Sequence, residues 1–125
     1  SSSYFLEGIV AYSNEAKTGR LEVPSALIEK YGAVSPEVAL AMAEGIRKTS
    51  GSDIGLSVTG VAGPGSSNNK LVGTVFIGIS EEKKSNCEGF IFYNDRSRNK
   101  ERSAQAALNL LRRWLLNLNV KEKVL

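Results

Sequence analysis

The chain has 125 residues, of which 42% are hydrophobic and 23% charged, so it can form one domain with a core and is not compositionally disordered. It has no histidine and one cysteine, which excludes histidine-based catalysis, an intrachain disulfide and a multi-cysteine zinc site within the chain. The net charge of +3 is too small to indicate nucleic-acid binding alone, and no apolar run approaches the roughly 20 residues that span a bilayer. We therefore expect a cytoplasmic protein that does not bind membranes.

The beginning of the chain predicts one strand followed by helices. Residues 7–12 are apolar and rich in β-forming side chains, which is typical of a strand. Residues 13–21 predict a helix that Ser13 or Asn14 could cap. A second short helix is predicted over residues 23–32.

The clearest helix follows Ser35, which is predicted to be its N-cap. Pro36 suits the first helical position, and Gly51 is expected to end the helix. One face repeats at spacings of four and is expected to be buried: Val38, Met42 and Ile46.

Three further strands are predicted over residues 53–60, 73–80 and 87–95. Residues 53–60 are almost continuously apolar or small, as expected for a strand that is covered on both faces. Residues 81–86 are polar and predict a hairpin turn.

A long helix is predicted over residues 99–118. Its expected apolar stripe, widened by Leu110 and Trp114, consists of Ala104, Ala107, Leu108, Leu111, Leu115 and Leu118. The element order β-α-α-α-β-β-β-α indicates an α/β layered domain with a mixed sheet of about four strands covered by helices.

Two loop motifs contain residues that could carry chemistry. The first, "AYSNEAK", follows a strand and carries Lys17 one helical turn after Ser13, where a buried lysine could activate a serine. Taken alone, these residues favour a structural interpretation in which Ser13 caps a helix and Lys17 is solvated. The second, "TGVAGPG", contains Gly60 and Gly63 and could form a backbone nest for an anion or oxyanion. It is neither a P-loop nor a dinucleotide-binding fingerprint, and a plain glycine-rich connection explains it equally well.

The remaining polar features favour structural roles. Cys87 has no histidine partner and is interpreted as structural. Basic residues cluster just before and within the last predicted helix, which indicates a solvated face or, alternatively, an anion site that uses one of the arginines. This cluster consists of Arg96, Arg98, Lys100, Arg102, Arg112 and Arg113.

Together these segments resemble the C-terminal domain of the competence/damage-inducible protein family, CinA. The resemblance covers nearly the whole chain and rests on these segments in family order: "YFLEGIVAYSNEAK", "GAVSPEVALAMAEG", "VTGVAGPG" followed by "VGTVFIGI", and "DR" followed by "ERSAQAALNLL". It implies a nicotinamide-nucleotide amidohydrolase that converts nicotinamide mononucleotide and water to nicotinic acid mononucleotide and ammonia, with a serine nucleophile, a lysine base and neither metal nor cofactor. It also implies a homo-oligomer.

The resemblance implies a role for nine residues. Lys17 matches the family's general base, and Tyr12 and Thr59 are assigned to catalysis with it. The residues implied to bind the nucleotide substrate are Ser13, Asn14, Gly60, Ala62, Gly63 and Arg96.

The family's nucleophilic serine belongs to a segment upstream of the position that matches Ser1. We therefore expect residues 1–125 to be a single CinA C-terminal-like domain that is N-terminally incomplete and inactive by itself. An alternative is a non-catalytic module on the same scaffold that binds a nucleotide or a partner. A third, weaker alternative is nucleic-acid binding through residues 96–102.

Overall fold

A computed structural model describes the backbone of residues 6–10, 22–60, 73–92 and 96–124, and within the last helix the side chains of residues 101–117. The elements are β1 (Leu6–Val10), α1 (Ser25–Tyr31), α2 (Pro36–Ser50), β2 (Ile54–Gly60), β3 (Thr74–Ser80), β4 (Ser85–Ile91) and α3 (Arg96–Val124). The strands form one sheet in the order β1-β2-β3-β4. The first pair is parallel and the other two are antiparallel. The predicted α/β fold with a mixed four-stranded sheet is confirmed.

At one end of the sheet, β1, β2 and β4 end and β3 begins. Val10 of β1 pairs with Val58, two residues before Gly60 ends β2. In the antiparallel pairs, Gly60 lies opposite Val75, near the start of β3. The last residue of β4, Ile91, also lies at this end, which we call the Gly60 end. The turn between β3 and β4 lies at the opposite end.

Helix α2 has the termini that the sequence predicts. The Ser35 hydroxyl accepts a hydrogen bond from the Val38 amide at 3.2 Å, and Pro36 occupies the first turn. Gly51 ends the helix in the left-handed region at φ 69°, and its amide bonds to the Arg47 carbonyl.

Helix α2 lies unusually close to one face of the sheet because small residues meet there. A Cβ atom on Gly55 would overlap the Ala43 carbonyl oxygen, and one on Gly78 would overlap that of Ala39. Ser57, on the same face, donates its hydroxyl proton to the Ala39 carbonyl at 2.6 Å. The sheet therefore holds the helix through its backbone, and no side chain has room at Gly55 or Gly78.

Two apolar clusters form the core, one on each side of the sheet. The first joins α2 to α1 and to the segment before it, through Val23, Ile28, Val38, Met42 and Ile46. The second lies between the other face of the sheet and α3, and consists of Ile54, Val75, Ile77, Ile79, Ala107, Leu110 and Leu111. Since β2 and β3 are covered on both faces, the predicted two-sided burial of residues 53–60 is confirmed.

The buried face of α3 is rotated relative to the predicted stripe. Leu108, which was predicted to be buried, is 59% exposed, and Ala104 is also exposed. The helix turns by about 100° per residue, so a face centred between Ala107 and Leu110 leaves both outside it. The prediction is confirmed for Ala107, Leu110 and Leu111 and was wrong for Leu108 and Ala104, because alanine and leucine occur all around this helix.

Several predicted boundaries shift. The first strand begins at Leu6, and its predicted last two residues, 11 and 12, lie outside the described residues. The fourth strand begins at Ser85, and the turn between β3 and β4 is the four residues 81–84. Helix α3 extends beyond the predicted 99–118 at both ends. The helix predicted over residues 13–21 lies outside the described residues. No helix within the described ranges combines the length and hydrophobicity needed to cross a bilayer.

Helix α3 is attached to β4 by a bidentate ion pair. The two terminal nitrogens of Arg113 donate to the carboxylate oxygens of Glu88 at 2.9 and 2.7 Å. These hydrogen bonds keep the pKa of Glu88 below its ordinary value of 4.5. The pair therefore stabilises the fold above that pH and is lost as the pH falls below it. Arg102 of α3 lines a pocket with Phe92, at the end of β4, so the helix runs antiparallel to that strand.

We predict that Gly78→Ala destabilises the domain by about 1–3 kcal/mol, since the added methyl group must push the Ala39 carbonyl away. Gly89→Ala is the matched control, because its Cβ would lie 2.8 Å from the ring of Phe76. That ring belongs to a side chain, which can rotate away, whereas the Ala39 carbonyl belongs to the backbone of α2. Urea unfolding of both variants measures the difference. Equal free energies of unfolding would contradict the close packing of α2 on the sheet.

Candidate functional site

The two predicted motifs are connected in sequence to strands that end at the Gly60 end of the sheet. The chain leaves β1 at Val10, seven residues before Lys17, and leaves β2 at Gly60. Helix α2 runs antiparallel to β2, since successive contacts along β2 fall on Ala43, Ala39 and Ala33. The N-terminus of α2 therefore also lies at this end.

Thr59 connects β2 to the segment before α2. Its side chain is 1% exposed, and its hydroxyl donates a hydrogen bond to the Ala33 carbonyl at 2.9 Å. The hydroxyl proton is thus committed to the backbone, and the side chain points toward α2. In this geometry Thr59 positions the strand end and the segment before α2 relative to each other.

Two glycines delimit the connection between β2 and β3. A Cβ atom on Gly60 would lie 3.0 Å from Cγ2 of Val75 and 3.2 Å from the Thr74 carbonyl oxygen. Gly73 has φ 92°, and a Cβ there would overlap the Phe92 carbonyl oxygen. Only glycine fits this position, where the Phe92 amide also bonds to the Gly73 carbonyl at 2.9 Å. The backbone on both sides of residues 61–72 is therefore tightly constrained.

Three of the nine predicted site residues fall within the described structure. Thr59 and Gly60 end β2, and Arg96 is the first residue of α3, described by its backbone alone. Helix α3 runs antiparallel to β4, so its N-terminus lies toward the Gly60 end. The other six residues lie outside the described residues: Tyr12, Ser13, Asn14, Lys17, Ala62 and Gly63.

Two fully buried serines near this end are engaged with the backbone. Ser35 donates its hydroxyl proton to the Gly32 carbonyl at 2.8 Å while accepting from the Val38 amide. Ser57 donates to the Ala39 carbonyl. Both hydroxyl groups are inaccessible, so neither serine is a nucleophile.

Cys87 is unsuited to nucleophilic chemistry as well. Burial, with smaller effects from the Glu37 and Glu88 carboxylates, raises the pKa of its thiol to about 11. The thiol is therefore protonated at neutral pH, in agreement with the predicted structural role.

The sequence-based prediction did not recognise a pocket beside the start of α3. The pocket has a volume of about 490 Å³ and is lined by Phe92, Glu101, Arg102, Ala104, Gln105 and Ala106. Arg102 belonged to the predicted basic cluster but had no role of its own. Its position four residues before Ala106, which packs at the edge of the core, could have indicated that its stem faces the sheet.

Comparison with known proteins identifies the family. The family model described as the CinA C-terminal domain matches residues 1–115. The chain belongs to the CinA C-terminal domain family. A CinA-like protein from Citrifermentans bemidjiense is 53% identical over 117 residues, which are 93% of this chain and 28% of that protein. One from Kosmotoga olearia is 48% identical over 118 residues, which are 94% of this chain and 29% of that protein. The chain thus spans less than a third of the length of these curated relatives.

Solved structures share the CinA fold. The competence damage-inducible protein A (ComA) from Klebsiella pneumoniae superposes with a TM-score of 0.78 at 28% sequence identity. The matched region covers 83% of this chain and 65% of that one. The α/β arrangement described above is therefore that of CinA superfamily proteins.

We predict that Thr59→Val destabilises the CinA domain by about 1–3 kcal/mol, because an isosteric methyl group leaves the partly buried Ala33 carbonyl without its hydrogen bond. Thr49→Val makes the same chemical change at an exposed position of α2 and should stay within about 0.5 kcal/mol of the wild type. Chemical denaturation measures both values. If the two variants unfold alike, the contact between Thr59 and Ala33 does not hold the strand end.

Proposed function

We propose that the protein containing this CinA domain is an amidohydrolase that hydrolyses the carboxamide of nicotinamide mononucleotide. The observation that carries the proposal is that β1 and β2 end side by side at the Gly60 end, where the "AYSNEAK" and "TGVAGPG" motifs continue the two strands. In sheets with helices on both faces, ligands bind where neighbouring strands end. Family membership agrees with a serine–lysine mechanism, and residues 1–125 contain no histidine that could serve as the base instead.

In the proposed reaction, neutral Lys17 takes the proton of a serine hydroxyl as the serine oxygen attacks the carboxamide carbon. The serine would come from outside residues 1–125. Backbone amides of the segment that begins at Gly60 stabilise the resulting oxyanion. Protonated Lys17 then gives its proton to the departing nitrogen, which leaves as ammonia. Water hydrolyses the acyl-serine ester to nicotinic acid mononucleotide and regenerates the serine.

The tight constraint on the described flanks of this segment supports the oxyanion role. Catalysis by hydrogen-bond donors requires that the donors be fixed before the reaction, so that little reorganisation is needed. Thr59 ties the end of β2 to the segment before α2, and Gly73 is held against the Phe92 backbone. In this proposal Thr59 supports the site through its contact with Ala33. Tyr12, Ser13, Asn14, Ala62, Gly63 and Arg96 line the site around the substrate.

A second candidate function is a module that binds a nucleotide or a partner without catalysis. The described residues are compatible with it, since the hydroxyl groups of Ser35 and Ser57 are both committed to backbone carbonyls and supply no nucleophile. A protein that lacked a reactive serine elsewhere would bind the nucleotide and release no ammonia.

We predict that Lys17→Met, in the protein encoded by the complete reading frame, lowers ammonia release from nicotinamide mononucleotide by at least about a hundredfold. Ammonia release falls because the change removes an amine needed for proton transfer, and the fold should be unaffected. Lys83→Met is the control, because it removes the same charge from the exposed turn at the opposite end of the sheet. A coupled ammonia assay measures turnover, and circular dichroism verifies folding.

Undiminished turnover in folded Lys17→Met would exclude Lys17 as the base. Binding of the nucleotide without ammonia release by the wild-type protein would instead select the non-catalytic module.

A further inference from the structure

The pocket beside α3 contains a cation without a charged partner among the described residues. Arg102 is half-buried, and no carboxylate in the described part of the chain forms an ion pair with it. Arg113, on the same helix, is by contrast paired with Glu88. A guanidinium that is partly withdrawn from water and unpaired has lost hydration without compensation, and it is suited to bind an anionic ligand.

The other pocket residues suit a phosphorylated ligand. Phe92 supplies an apolar wall, and its ring lies parallel to that of Phe90 at a centroid distance of 5.7 Å. Gln105 is exposed and has a side-chain amide that can donate a hydrogen bond. The Glu101 carboxylate also lines the pocket, but it is exposed and therefore well solvated, whereas Arg102 is not.

The pocket lies within reach of the candidate active site. Phe92 follows directly after the end of β4, and β4 is separated from β2 by one strand. Gly60 pairs with Val75, which pairs with Phe90, so Phe92 lies two strands and two residues away from Gly60. With strands about 4.8 Å apart and about 3.3 Å per residue, the two backbones are roughly 12 Å apart in the plane of the sheet. A mononucleotide that presents its carboxamide near Gly60 can place its phosphate in this pocket.

We propose that this pocket binds the phosphate group of the substrate, with Arg102 as the residue that selects mononucleotides over nucleosides. The proposal rests on the proposed amidohydrolase function and adds a residue to it. Arg96 precedes Arg102 by six residues, which corresponds to about 9 Å along the helix and a different face. The two arginines therefore cannot replace each other, and Arg102 contacts the phosphate from the side of Phe92.

The test compares two ligands that differ only in the phosphate: nicotinic acid mononucleotide and nicotinic acid riboside. Titration calorimetry measures both affinities for the protein from the complete reading frame. We expect the wild type to prefer the mononucleotide by about tenfold to a hundredfold, as for a charge-assisted hydrogen bond. Arg102→Gln should abolish this preference, and Arg102→Lys should retain part of it because the charge remains. Arg112→Gln, which removes an exposed arginine from the same helix, should keep it in full.

Equal preferences in Arg102→Gln and Arg112→Gln, or no preference in the wild type, would overturn the proposal. Binding of ribose 5-phosphate distinguishes failure of the phosphate pocket from failure of the proposed amidohydrolase reaction. If no carboxamide is hydrolysed but ribose 5-phosphate binds in an Arg102-dependent manner, the phosphate pocket stands and only the reaction is rejected. If ribose 5-phosphate binds equally well to Arg102→Gln, or does not bind to the wild type, the pocket is rejected.

Discussion

The close contact between helix α2 and the sheet is the constraint on which the rest of the fold depends. The Ala39 and Ala43 carbonyl oxygens occupy spaces that a side chain on Gly78 or Gly55 would fill. Ser57 adds a hydrogen bond to one of these carbonyls. Since backbone contacts allow less adjustment than interdigitated side chains, they fix the position of α2 along the direction of β2. The larger side chains of α2 are then free to form a separate core with α1.

The position of α2 along β2 determines which segments lie next to each other at the Gly60 end. With Ala39 set against Ser57, the segment before α2 reaches the end of β2, where Thr59 bonds to Ala33. On the other face, the apolar cluster around Ile77 holds α3 against the sheet, and its early turns lie beside Phe92. The exposed ion pair between Arg113 and Glu88 adds a contact to β4. The N-terminal parts of α2 and α3 therefore both lie at the Gly60 end of the sheet. The position of the candidate site follows from how these two helices pack on the sheet.

Local signals in the sequence predicted most of the fold, and long-range contacts account for what they missed. Helix α2 was predicted correctly because Ser35 and Gly51 determine its ends through their own backbone chemistry. The buried face of α3 was misplaced because the cluster around Ile77 selects among several apolar faces of the helix. The engagement of Thr59 with Ala33 spans 26 residues and leaves no local pattern. The pocket at Arg102 likewise depends on where Phe92 lies, which only the packed sheet determines.

Binding of a pyridine mononucleotide at the Gly60 end of the sheet is the proposal from which the assigned chemistry follows. Nuclear magnetic resonance of isotope-labelled protein tests it most directly, because adding nicotinic acid mononucleotide shifts the amide signals nearest to the bound product. We expect shifts at Gly60, Gly73 and Phe92, with Lys83 in the distant turn unchanged. Shifts confined to the turn over residues 81–84, or none at saturating product, would contradict binding at this end.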